Sequence, residues 1–97
     1  MSYGLIGKLT AVPGERETLL AILLGASEAM QQEVSCETYE VSVSLDDDAI
    51  VVYEVWASQA AHQQSLSLET TKTLIERARP MLANIERLAV FEPRSRQ

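Results

Sequence analysis

Cysteine occurs once in this sequence, at Cys36, and histidine once, at His62. A lone thiol closes no internal disulfide and builds no zinc site, so neither a covalent staple nor a structural metal is expected. Basic residues are also few, eight Lys and Arg against fourteen Asp and Glu, for a formal charge of -6. They are scattered singly, whereas phosphate binding needs clustered cations, so neither nucleic acid nor an anionic membrane surface is an expected partner. Long apolar runs are missing as well: nothing approaches the roughly 20 residues of a membrane span. The stretch from Met1 to Gly14 lacks the basic and apolar regions of a signal peptide. A cytoplasmic, soluble protein is the expectation.

What the chain does have is hydrophobic content, 46% over 97 residues. That suits one domain over residues 1–97, with a frayed tail from about residue 94. The size is near the lower end for a self-sufficient core, so a partner subunit would help. Residues 3–12 alternate as a strand, with Tyr3, Leu5, Leu9 and Ala11 on one face and Ile6 and Val12 on the other. Pro13 and Gly14 stop it, and Glu15 and Glu17 favour the start of a helix through its dipole. Leu19, Leu23, Ala26 and Met30 then recur at helical spacing, widened by Leu20 and Leu24, to about Gln32.

From Cys36 to Leu45 the pattern returns to period two, with Tyr39, Val41, Val43 and Leu45 opposite Thr38, Glu40, Ser42 and Ser44. One wet face points to an edge or one-sided strand. Asp46, Asp47 and Asp48 make a turn and are expected to sit in water, because adjacent carboxylates lack the spacing of a calcium loop. Residues 49–57 are apolar on both faces and read as a central strand. Ser58 caps a short helix over residues 59–66, and a further helix follows over 69–79 with Leu74, Ile75 and Ala78 inward and Pro80 at its end. Residues 84–93 close the chain as a strand.

The order βαββαβ is the α+β, ferredoxin-like arrangement: an antiparallel sheet with its helices on one face. The other face is left open. Because the third and fourth strands are apolar both ways, two such sheets are expected to pack face to face in a homodimer.

Few residues carry chemistry, and each has a plainer alternative. His62 is either a general base tuned by partial burial or a packed helix residue bonded to a neighbour. Trp56, six residues before it, is either a core side chain or an aromatic platform. Tyr39 and Tyr53 could donate to a substrate oxygen, but equally suit the core or an interface. Cys36 reads as a small hydrophobe at a strand start, with nothing nearby to lower its pKa. Glu54 shares the face of Trp56 and needs a partner, with Arg77, Arg79 and Arg87 as candidates for a structural ion pair.

Three stretches together resemble the antibiotic biosynthesis monooxygenase (ABM) superfamily. "AVPGERETL" (Ala11 to Leu19) is similar to its strand-to-helix turn. "EVSCETYEV" (Glu33 to Val41) resembles its helix exit, with Ser35 where Gly is usual. "YEVWASQAA" (Tyr53 to Ala61) looks like its Glu-x-Trp strand and following short helix. The resemblance implies a dimeric α+β barrel with a pocket between sheet and helices, lined by Trp56. It also implies a monooxygenase that oxidises quinols or polycyclic aromatics with dioxygen, needing no metal or other cofactor.

The departure from the family lies on the second helix. A histidine is usual eleven residues after the Glu, and here that position is Ser65; a second one is missing from Ser67 to Thr70. His62 stands one turn before Ser65 on the same helix face, where Leu is usual. Two readings follow. One is a monooxygenase acting on a quinol-like molecule, with His62 as base and Trp56, Tyr53, Tyr39 and Ser65 around the substrate. The other is a non-catalytic dimeric protein that binds a small hydrophobic molecule or serves as an accessory. Haem degradation ranks third, since Ser65 stands where an iron-binding histidine would be expected.

Overall fold

The computed structural model describes residues 1–95. Four strands, β1 (Tyr3–Ala11), β2 (Cys36–Val43), β3 (Ala49–Trp56) and β4 (Leu82–Phe91), form one sheet in the order β2-β3-β1-β4. Every neighbouring pair is antiparallel. Helices α1 (Arg16–Met30), α2 (Gln59–Ser65) and α3 (Glu69–Ala78) complete the ferredoxin-like order. None of the described helices is long and apolar enough to cross a membrane.

The core forms where α1 and α3 meet the two middle strands. Leu19, Ile22 and Leu23 of α1 and Ala78 of α3 pack on Ile50 and Val52 of β3. A second cluster joins Leu5, Met30 and Trp56 at the other end of the same face. Period two along β3 therefore sends Ile50, Val52, Glu54 and Trp56 toward the helices, and Val51, Tyr53 and Val55 to the opposite face. That face carries a contact of its own. Phe91 lies over Gly4, its register partner, so closely that a Cβ on Gly4 would collide with the ring, and it meets the Tyr53 ring at 5.5 Å.

Element ends shift where side chains compete with the backbone ladder. β2 stops at Val43, two residues early, and Leu45 is 97% exposed rather than facing inward. Ser44 Oγ accepts from the Asp46 N–H at 3.2 Å, and Asp47 Oδ1 accepts from the Ala49 N–H at 3.1 Å. These local bonds replace the ladder. The aspartates are not simply solvated: Asp47 pairs with Lys8 at 2.6 Å and Asp48 with Arg16 at 3.2 Å. α1 ends at Met30 because the next three N–H groups bond three residues back, which tightens the last turn.

At Pro80 the chain passes through a short 3₁₀ turn, Arg79–Met81, and enters β4 at Leu82, two residues before the expected Asn84. Proline lacks the N–H that would continue α3. The Val12 N–H donates to the Met81 carbonyl at 2.8 Å, tying this turn to the end of β1. Of the expected tail, Arg94 is exposed and pairs with Glu92 at 3.0 Å; residues 96–97 lie outside the described residues.

Candidate active site

A cavity of about 670 Å³ opens between the helices and the sheet. It falls within the range of about 300–1,000 Å³ in which small-molecule sites usually lie. Leu9, Tyr39, Glu54 and Ile85 reach it from the four strands. Thr71, Leu74, Ile75 and Ala78 reach it from α3, at the spacing that puts four residues on one helical face.

α2 brings His62 to the end of this space. Ser58 caps the helix by accepting the Ala61 N–H at 3.0 Å, and His62 follows in its last turn, buried against the sheet. The imidazole lies 5.6 Å from the Tyr3 ring and 5.8 Å from the Trp56 ring, edge-on to the indole. Only 6% of the residue is exposed, and Nδ1 is buried without a hydrogen-bond partner. Burial first, and the charge of Arg87 second, lower the His62 pKa, so the ring is neutral at neutral pH. Ser65 is buried beside it, its hydroxyl donating to the His62 carbonyl at 2.6 Å.

Glu54 finds a partner on its own strand. The Trp56 indole N–H donates to Glu54 Oε1 at 2.9 Å, and among the described residues Glu54 forms no ion pair with any arginine. Burial raises the Glu54 pKa, while the indole bond and the more distant Arg87 charge oppose that rise. Trp56 itself is 1% exposed and packs with Leu5 and Met30. It stands behind the carboxylate and is not among the side chains that line the cavity.

The two tyrosines part company. Tyr39 lines the cavity, and burial followed by the Glu54 charge raises its pKa strongly, so its phenol keeps the proton and can donate it in a hydrogen bond. Tyr53 lies on the opposite face of the sheet against Phe91, outside the cavity. Cys36, beside Trp56, has its thiol pushed up to about 11 by burial and then by Glu54, which leaves it a poor nucleophile. No group of three or more His, Cys, Asp or Glu side chains converges on a metal position among the described residues.

The antibiotic biosynthesis monooxygenase family model matches residues 2–77. The chain belongs to this family. A solved structure from Chloroflexus aurantiacus that carries the antibiotic biosynthesis monooxygenase name is 37% identical, with a TM-score of 0.89, over 100% of this chain and 97% of that one. Rv0793 from Mycobacterium tuberculosis shares the fold at 18% identity and a TM-score of 0.88, covering 99% of this chain and 98% of its own. PA3566 from Pseudomonas aeruginosa does so at 21% identity and 0.87, covering 97% and 95%. No protein of curated function matches the sequence.

Within this ABM chain the structure gathers His62, Ser65 and Tyr39 around one cavity, adds Glu54, and sets Trp56 behind it and Tyr53 across the sheet. Thr71 was not singled out from the sequence. Its hydroxyl is buried at the cavity wall without a partner, and its position three residues before Leu74, on the inward stripe, was the available signal. Arg79 and Asn84 also line the ABM cavity. Nothing in their local pattern marks either as a cavity residue, and Arg79 was expected only as a possible ion-pair partner for Glu54, because the turn at Pro80 decides where they point.

Proposed function

We propose that this ABM protein is a monooxygenase that oxidises a quinol or polycyclic phenolic molecule with dioxygen, using no cofactor. One observation carries the reading: a largely apolar cavity of about 670 Å³ that also contains Glu54, His62 and Tyr39. Apolar walls suit a fused aromatic substrate, and convergent polar groups suit its hydroxyls. For an anthrone-like substrate, a ring CH₂ becomes a carbonyl. One oxygen atom of O₂ enters the product and the other leaves as water with the two hydrogens. All four electrons come from the substrate, so the protein supplies position and a proton acceptor.

Oxygen uptake with reduced naphthoquinols and anthrone-like phenols, set against a protein-free blank, tests this. Uptake at least tenfold above the blank, about 1.4 kcal/mol of barrier lowering, is expected for some member of the panel. Rates equal to the blank throughout would replace the monooxygenase reading with a binding one. That second reading has its own support: Nδ1 of His62 lacks the acceptor that would stabilise an imidazolium during turnover.

We also propose that two copies pair through the open sheet face. Val51, Tyr53 and Phe91 lie there only partly covered within one chain. Light scattering should give twice the 10.7 kDa chain mass, and a monomer at micromolar concentration would sink the proposal.

A further inference from the structure

We infer that the proton acceptor in this cavity is Glu54, held in place by Trp56, and that His62 is not the base. The inference rests on the monooxygenase reading above and deepens it. Three observations carry it. Glu54 lines the cavity from β3, an inner strand hydrogen-bonded on both sides. One carboxylate oxygen accepts the Trp56 indole N–H at 2.9 Å, which orients the group while leaving further lone pairs for a substrate proton. Trp56 is fully buried and does not line the cavity, so its role toward the substrate is exercised through Glu54; it is a positioning residue.

His62 is the poorer candidate for a geometric reason. Taking up a proton would leave both ring nitrogens carrying hydrogen, and Nδ1 is sealed with no acceptor beside it. A buried, charged N–H without a partner is strongly disfavoured. The titratable groups around Glu54 leave it free to cycle: Tyr39 and Cys36 from β2 keep their protons, His62 of α2 lines the same cavity as a neutral ring, and neither Arg79, which also lines it, nor Arg87 of β4 forms an ion pair with the carboxylate among the described residues. Buried carboxylates in other folds perform this proton transfer, as in ketosteroid isomerase.

Glu54 takes one proton from the CH₂ of an anthrone. The carbanion adds O₂, and the proton returns from Glu54 to give a C–OOH group. Loss of the second C–H proton breaks the O–O bond and releases water and the ketone. Dioxygen is the only oxidant.

The decisive comparison is Glu54→Gln against His62→Ala, with anthrone as substrate. Gln keeps the shape and still accepts the indole N–H. Glu54→Gln is expected to lower kcat at least a hundredfold, and His62→Ala less than tenfold. The wild-type rate should rise with pH through a carboxyl titration displaced above the ordinary value, and Glu54→Gln should remove that limb. Trp56 fluorescence supplies a readout without turnover: its pH titration should show the same midpoint in wild type and no transition in Glu54→Gln. A Glu54→Gln protein within threefold of wild type, or an unchanged pH profile, overturns the role of Glu54 and leaves the monooxygenase reading standing. A wild type inactive on every compound removes that reading and the base with it.

Discussion

Trp56 donates its indole N–H to Glu54 Oε1 at 2.9 Å, between residues two apart on the same strand. Both side chains point toward the helices, so the chain's one tryptophan orients the one carboxylate that lines the cavity among the described residues. Burial nevertheless raises the Glu54 pKa above its reference value of 4.5. A carboxyl whose pKa is raised on folding favours the native state when protonated, and that contribution is lost as pH rises through the folded pKa. Glu54→Gln, permanently neutral, should therefore melt higher than wild type at pH 7, with the advantage vanishing below about pH 4. Calorimetry across pH 3.5–7.5 checks this; equal melting at pH 7 would mean the charged carboxylate is better solvated than its burial implies.

His62 titrates in the opposite sense. Its pKa is lowered from 6.5, so the folded protein resists a proton that the unfolded chain accepts. The stability this represents is complete above 6.5 and is lost as pH falls toward the folded value. As the only histidine in the sequence, it gives a single imidazole signal. NMR titration should place its midpoint below 6.5. The fall in melting temperature between pH 7.5 and 5.5 should flatten in His62→Phe.

Lys8 and Asp47 join β1 to the turn between β2 and β3 at 2.6 Å. The Lys8 bond, helped by Ser44 and the Ala49 N–H, lowers the Asp47 pKa from 3.8 to about 2. Stability from this pair is present above 3.8 and lost as pH falls through about 2. Urea melts of wild type and Asp47→Asn should thus differ at pH 6 and converge near pH 2. Because both groups touch solvent, 0.5 M salt should narrow the difference at pH 6.

Gly4 leaves room for the Phe91 ring where any Cβ would collide with it. Gly4→Ala should destabilise the protein by about 1–3 kcal/mol, as overpacking does. Phe91→Leu in the same chain should recover part of that loss, and a double-mutant cycle by chemical denaturation measures the coupling. Additive effects would show that the ring moves aside freely.

Much of the fold was legible because burial imposes a period. The alternation in residues 3–12 and 36–45, and the stripe from Leu19 to Met30, marked their elements directly, with each strand ending one or two residues sooner in the structure. Leu45 was misread because its place in the alternation carried no sign that Ser44 and Asp47 would take over the backbone bonds. At the site, His62 and Tyr39 were visible as scarce polar or aromatic residues on inward faces. Trp56 was picked for the same reason, yet it serves as a donor behind the wall.

The sequence by itself determined the βαββαβ order, the family, and which residues of a strand share a face, because these follow from local periodicity and from motifs in chain order. Tertiary structure alone decided that Glu54 bonds Trp56 rather than an arginine, that Tyr53 faces away while Tyr39 faces in, and that His62 Nδ1 is sealed. Those outcomes depend on distances between elements far apart in the chain, and on solvent exclusion that no single segment carries.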